Sequence, residues 1–133
     1  MTDILQSHFL NLYAMALSDT QIDTVELETL YKIGQVKGIE KSEIDQVILN
    51  PDKVKFTFPD NLNEKITYLY DFAKIILADG VIDKNERSTL ELFCNRFGFE
   101  EENITGIADF LIASAKENME VTTLLQLINE NLN

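Results

Sequence analysis

The sequence of 133 residues predicts an all-α fold of about seven helices. Apolar residues recur at helical spacing along most of the chain, and Gly and Pro number only five and two. In addition, one segment is repeated at a constant offset of 60 positions, as from Asp19 to Asp79. Long helices suit this composition, because Gly and Pro destabilise helix interiors. We expect helices over about 3–17, 24–37, 42–49, 63–78, 84–96, 101–116 and 120–131.

Local signals support these bounds. The pair Asn50-Pro51 ends the third helix, because a residue before Pro avoids the α region. Gly80 suits a left-handed residue after the fourth helix. The acidic run at 100–102 lies where the positive end of the sixth helix dipole is expected. The alternating segment 54–59 lacks a pairing partner, so we interpret it as an extended linker that carries Phe56 and Phe58 into the core.

The repeat predicts the organisation of the chain. Two similar helical hairpins usually pack about a pseudo-twofold axis around one core. We therefore expect a single domain, 1–133, with one repeat at about 4–50, a linker at about 51–61, a second repeat at about 62–115 and a C-terminal helix at about 120–131. Ten residues of 17–44 recur in 77–104, and in the first copy they are Leu17, Asp19, Ile22, Asp23, Glu26, Thr29, Leu30, Gly38, Glu40 and Ile44.

Composition restricts the classes of partner. The net charge of -12 repels nucleic acid and anionic membranes, and it favours cations or basic proteins. No apolar run reaches the roughly 18 residues that span a bilayer. Cys94 is the single Cys, so an intramolecular disulfide cannot form, and the first twenty residues do not resemble a signal peptide. We therefore expect a cytoplasmic protein that does not insert into membranes and does not bind nucleic acid.

Each repeat contains an acidic turn before a predicted helix. In both turns an Ile, Ile22 or Ile82, is expected to plug the loop onto the core, and the surrounding carboxylates are expected to face solvent or each other. If the repeats pack about a twofold axis, both turns lie at one end of the bundle. Like charges brought that close need a counter-charge, and Ca²⁺, Mg²⁺ or Mn²⁺ prefer oxygen ligands. The predicted ligands are Asp19, Asp23, Glu26, Asp79, Asp83 and Glu86.

Helix capping is the alternative interpretation of these acids. Asp23 and Asp83 suit N-cap positions, and a Glu follows each of them by three residues, as in a capping box. Lys84 and Arg87 also offer part of the counter-charge in the second turn. A calcium-binding EF-hand is not expected, because apolar residues, Ile75 and Leu77, occupy its first two ligand positions.

The run Ala78-Asp79-Gly80-Val81-Ile82-Asp83-Lys84-Asn85-Glu86, followed by Leu90 and Gly98, resembles the tellurite-resistance TerB family. The resemblance covers about residues 8–115. It implies an all-α fold of two overlapping helical bundles related by a pseudo-twofold axis. It also implies an acidic cluster that binds divalent metal, in a bacterial stress-response or metal-handling context, and no enzymatic activity.

No catalytic motif occurs in the sequence. His8, the only His, lies on an apolar helix face, and Cys94 replaces Gly34 of the first repeat, so we expect both to serve packing. Tyr31 and Tyr68 are the tyrosines expected to be exposed, and the acidic segment 100–133 suits a basic protein partner. The sequence thus predicts a non-enzymatic, TerB-like domain with a divalent-cation site, or alternatively a helical interaction scaffold whose acidic turns only cap helices.

Overall fold

The computed structural model describes residues 1–17, 24–78, 80, 82 and 84–132, with side chains described as far as residue 130. This part of the chain contains α-helices and one short 3-10 helix, Pro51–Lys53, but no strand. The helices are α1 (Asp3–Ala16), α2 (Thr24–Val36), α3 (Lys41–Leu49), α4 (Leu62–Leu77), α5 (Lys84–Arg96), α6 (Glu101–Lys116) and α7 (Val121–Leu132). The predicted all-α class is confirmed, and each predicted helix is present.

Capping residues define several helix ends. The Thr2 side chain accepts a hydrogen bond from the Leu5 backbone N–H, and Asn61 accepts one from Glu64 at the start of α4. As predicted, α3 stops before Asn50, and Gly80 adopts a left-handed φ of 80° after α4. The ends of these helices follow from local chemistry, and the predicted bounds agree with the observed ones to within one residue.

Helix bounds recur at the offset of 60 positions. Helices α2 and α5 each contain 13 residues, and both begin and end at equivalent positions. Both are followed by a left-handed Gly, with φ of 78° at Gly38 and 94° at Gly98. Beyond each Gly, a backbone N–H bonds back to the helix, from Ile39 to the Gly34 oxygen at 2.8 Å and from Phe99 to the Cys94 oxygen at 3.2 Å. These two helix ends therefore share one hydrogen-bonding pattern.

Helices α1 and α4 form the centre of the core. Helix α1 packs against α2, α3 and α4, whereas α4 packs against α1, α2, α5, α6 and α7. Phe9 on α1 and Phe72 on α4 are both fully buried, and each such ring contributes about 1.5–3 kcal/mol by leaving water. The hydroxyl of Tyr70 donates to the Met119 carbonyl at 2.6 Å, which ties α4 to the connection between α6 and α7.

The linker after α3 differs from the prediction. The side chains of Phe56 and Phe58 are 61% and 37% exposed, so the expectation that they enter the core was wrong. Instead, the buried Ser7 hydroxyl donates to the Lys55 carbonyl and accepts from the Thr57 N–H, each at 2.9 Å. The linker is therefore attached to α1 through its backbone, which leaves Phe56 on its outer side.

Within the described residues, no helix combines the length and the apolar character needed to cross a bilayer.

Gly34, inside α2, allows a close contact with α3. A Cβ atom at this position would lie 2.5 Å from Cδ1 of Ile44, which is fully buried. We expect Gly34→Ala to lower the free energy of unfolding by about 1 kcal/mol, because overpacking costs about 1–3 kcal/mol and Ala restores about 1 kcal/mol of helix propensity. Removing the clashing methyl group with Ile44→Val should rescue the variant, so that the double mutant is at least as stable as Ile44→Val alone. Urea unfolding of the four proteins measures this coupling, and additive losses would contradict it.

Candidate functional site

The structure describes only part of the predicted acidic cluster. Four of the six predicted ligands lie outside the described residues, namely Asp19, Asp23, Asp79 and Asp83. Among the described residues, no group of three or more His, Cys, Asp or Glu side chains is placed to hold a metal ion. The two predicted ligands within that part of the chain are Glu26 and Glu86.

Glu26 and Glu86 occupy equivalent positions in the first turns of α2 and α5. Their side chains are buried, with exposed fractions of 0% and 1%. These two carboxylates therefore do not face solvent, which was one of the two orientations expected for them; the other, toward each other, stays a prediction. The reason for their burial is helical geometry, because each Glu precedes by four residues a fully buried leucine, Leu30 or Leu90, and so lies on the inward face. Burying a carboxylate is costly unless hydrogen bonds or a positive charge balance it.

The surroundings of the second turn correct one further expectation. Ile82 is 37% exposed, so it does not plug the loop onto the core, and its counterpart Ile22 lies outside the described residues. Arg87, proposed above as a counter-charge for the turn, donates to Asp109 on α6 at 2.6 Å and lies 3.6 Å from Glu91. Arg87 thus links α5 to α6, and its role beside Asp79 and Asp83, which lie outside the described residues, stays a prediction.

A second cluster of charged residues lies inside the bundle. Nε2 of His8 on α1 lies 2.8 Å from Oδ2 of Asp71 on α4, and both side chains are buried. Nζ of Lys37, the residue after α2, lies 3.2 Å from the same carboxylate oxygen. The three groups join α1, α2 and α4 at a single point.

Aromatic rings surround this cluster. The His8 ring stacks on Tyr68 with centroids 4.1 Å apart, and it meets the rings of Phe9 and Phe72 edge-on. Tyr68 is therefore buried, with 8% exposure, and the prediction that it lies at the surface was wrong. His8 and Tyr68 are themselves separated by 60 positions, so the repeat places both rings at the contact between α1 and α4. Tyr31, also expected at the surface, is half-buried.

Burial and charge determine the protonation states in the cluster. Burial lowers the pKa of His8, and this effect outweighs the hydrogen bond and negative charge of Asp71. For Asp71, burial raises the pKa, but the His8 hydrogen bond and the positive charges nearby dominate and hold it below its usual value. At neutral pH, His8 is thus uncharged and donates its Nε2 proton to an ionised Asp71. Its buried Nδ1 atom has no hydrogen-bond partner among the described residues.

Asp71 and Lys37 also line a cleft of about 240 Å³ between α2 and α4. Lys32 and Lys74 border the same cleft, and Nζ of Lys74 lies 4.8 Å from the centre of the Tyr70 ring. These lysines add positive charge on the open side of a carboxylate that faces His8 on its inner side. The cleft therefore explains how a buried Asp71 remains ionised in a protein of negative net charge.

The geometry of this cluster favours a structural role. The side chain of His8 is only 1% exposed, and its Nε2 atom is already bonded to Asp71. Cys94, the chain's single thiol, is fully buried, and burial raises its pKa to about 12, so it stays protonated. The prediction that Cys94 serves packing is confirmed, and His8 is a buried residue as expected, with its Nε2 atom bonded to Asp71.

The sequence analysis did not identify Asp71 as a buried residue. One feature of the sequence could have indicated it: Asp71 and Asn11 are separated by the repeat offset of 60 positions, and both are polar residues inside apolar helical stripes. In the structure, both side chains are buried.

Comparisons with protein-family models, with curated proteins and with solved structures give no match to this chain.

We expect stability to fall as the pH is lowered from about 7.5 to about 5, with a slope of up to about 1.4 kcal/mol per unit. Because the pKa of His8 is below 6.5 in the folded state, the unfolded chain binds more protons in this range. Asp71 contributes to the pH dependence of stability only at lower pH, because its pKa falls below 3.8 on folding. Urea unfolding across this range measures the slope, and His8→Gln should flatten it. An increase in stability on acidification would show instead that a protonated His8 is favoured.

Proposed function

We propose that this chain is a non-enzymatic, TerB-like domain that binds a divalent cation, Ca²⁺, Mg²⁺ or Mn²⁺, at its paired acidic turns. The proposed setting is a cytoplasmic stress response or metal handling, as the sequence resemblance implies. The burial of Glu26 and Glu86 is the single observation that carries the proposal. Each carboxylate lies inward in the first turn of the helix that follows an acidic turn, and carboxylate oxygens are the ligands that Ca²⁺, Mg²⁺ and Mn²⁺ prefer.

The recurrence of helix bounds supports the proposed architecture. Because α2 and α5 begin at equivalent positions, the turns before them also have equivalent places in the chain. We infer an internal duplication that produces two overlapping bundles, with α1 and α4 as the pair at their pseudo-twofold axis. In this arrangement both turns reach the same end of the molecule, which brings the charges of six acidic residues together.

Burial of the titratable groups supports the absence of catalysis. The imidazole of His8 is enclosed by Tyr68, Phe9 and Phe72, so a substrate has no path to it in this conformation. The thiol of Cys94 is protonated and enclosed. Neither group meets the requirement of nucleophilic catalysis for an accessible nucleophile beside an oriented base.

The alternative function is a helical interaction scaffold in which the acidic turns only cap α2 and α5. Glu26 and Glu86 stand at the third position of their helices, where a capping-box Glu bonds back to the N-cap residue. Such bonds also offset the burial of both carboxylates. The structure adds a specific observation for a scaffold, an apolar groove beside α6 that is described below.

A metal titration of the chelator-treated protein separates the two functions. We expect a cation at about 100 times its dissociation constant to stabilise the fold by about 2.7 kcal/mol, which raises Tm by several degrees. Glu26→Gln and Glu86→Gln should each reduce this shift, because Gln retains the capping geometry and removes the charge of a ligand. Differential scanning calorimetry with and without each cation provides the measurement.

Glu28→Gln is the matched control, because it removes one charge from an exposed position of the same helix as Glu26. It should leave the metal-induced shift intact and show that general charge neutralisation is not responsible. If Ca²⁺, Mg²⁺ and Mn²⁺ all leave Tm of the chelated protein unchanged, the metal proposal is wrong and the scaffold remains. An equal loss in Glu28→Gln and Glu26→Gln would indicate non-specific screening.

A further inference from the structure

An apolar groove of about 440 Å³ runs along α6, at the side where α6 and α7 both pack against α4. This volume falls within the range of volumes found for ligand-binding pockets in proteins. Most of its surface comes from aliphatic and aromatic side chains of three helices, namely Leu62, Ile66, Ile107, Phe110, Leu111 and Ile128. Four of these, Leu62, Ile107, Phe110 and Ile128, are only partly buried, so the groove presents them to whatever enters it.

Gly106 opens the groove along α6. A Cβ atom at this position would have no neighbour within 4 Å, so core packing does not require a glycine there. The residue also lies inside a 16-residue helix, where glycine costs about 0.5–1 kcal/mol relative to alanine. The helix thus carries a destabilising residue at a position that lines the groove and has open space around it. At the equivalent position of the first half, the chain has Gln46.

The part of the chain that forms α6 and α7, two of the helices that line the groove, is acidic. Glu102 lines the groove directly, and the segment 100–133 contains seven acidic residues but only Lys116 as a basic one. One positive charge lies at its edge, because Nζ of Lys65 is 5.9 Å from the centre of the Phe99 ring. A second copy of this chain would bring another net charge of -12 to the same surface, which opposes self-association. The charge therefore favours a basic occupant.

The length of the groove indicates the shape of that occupant. Its lining residues on α6 extend from Glu102 to Leu111, a distance of about 14 Å along the helix. An amphipathic helix that lies in such a groove contacts it through apolar residues at positions i, i+3 or i+4, and i+7. Two turns of helix therefore match the groove, with basic residues on the flanks of the apolar stripe.

We propose that this groove binds a basic amphipathic helix of a protein partner, whose apolar stripe packs over Gly106 and whose Lys or Arg residues face Glu102 and the negative net charge of the chain. This proposal is a specific form of the interaction-scaffold function, and it rests on that function. It does not depend on what the acidic turns bind. Apolar contacts supply most of the affinity, whereas the charges supply orientation and a faster association.

The test uses a synthetic helix as the probe. A fluorescein-labelled peptide of about 18 residues, with Leu at positions i, i+4 and i+7 and Lys elsewhere, spans the groove and extends beyond it. Two control peptides each keep one property. A scrambled sequence retains the positive charge without the apolar stripe, and a version with Glu in place of Lys retains the stripe without the positive charge. Fluorescence anisotropy measures binding of each peptide to the intact chain.

Variants of the protein locate the site. Gly106→Leu fills the groove and should weaken binding of the Leu–Lys peptide by about tenfold or more, whereas Gly106→Ala should retain most of it. Both substitutions improve helix propensity, so Tm should rise rather than fall. Glu102→Lys reverses a charge in the groove lining and should also weaken binding, and Glu101→Lys, one residue outside the lining, is its matched control.

The proposal predicts that only the basic amphipathic peptide binds, and that Gly106→Leu and Glu102→Lys each disrupt this binding. Equal binding of the scrambled peptide would overturn it in favour of non-specific charge attraction. Equal binding to the wild-type chain and to Gly106→Leu would place the peptide elsewhere. If sedimentation shows a dimer that Gly106→Leu dissociates, the occupant is a second copy and the proposal is wrong. Metal titration has no bearing on these outcomes, so the two proposals fail separately.

Discussion

The carboxylate of Asp71 joins the two central helices and the end of α2 through its contacts with His8 and Lys37. Removal of a hydrogen-bond partner from a buried polar group typically costs about 1–3 kcal/mol, because that group is left unsatisfied. The hydrogen bond between His8 and Asp71, at 2.8 Å, has geometric requirements that apolar contacts between α1 and α4 lack. Helices α3, α5, α6 and α7 pack against this central pair, each on α1, on α4 or on both.

The groove and the two inward-facing glutamates depend on the same central helix. Helices α6 and α7 both pack on α4, so the space between them is determined by where α4 lies. Helices α2 and α5 contact α4 as well, and they present Glu26 and Glu86 inward at equivalent positions. A single arrangement of helices thus positions both the buried carboxylates and the apolar groove beside α6.

Local features of the sequence were sufficient to predict the helices, whereas contacts between distant residues were not predictable. Asn50-Pro51 ends α3 through the conformational restriction of two adjacent residues, and such a signal is visible in one sequence. The contact of His8 with Asp71 joins residues 63 positions apart, so it depends on how helices cross. Phe56 is exposed because Ser7 binds the linker backbone, a contact that apolar alternation does not reveal.

For the predicted site, the sequence indicated the positions of the acidic residues along the helices but not the direction in which their side chains point. The acidic turns were found from the repeat, and the capping pattern correctly placed Glu26 and Glu86 in first turns of helices. Their inward orientation was missed, although the spacing of four residues to Leu30 and Leu90 contained that information. Ile82 was expected to be inside because it is apolar, but hydrophobicity alone does not establish that a loop residue is covered.

The enclosure of Cys94 gives the molecule a built-in reporter of its own opening. Its side chain has no exposed surface, and its thiol remains protonated far above neutral pH. An alkylating reagent therefore reacts only while α5 is transiently separated from its neighbours, so the modification rate measures the frequency of that event. Because the chain has no other cysteine, every modification reports local opening of the native state at Cys94, and no engineered label is needed.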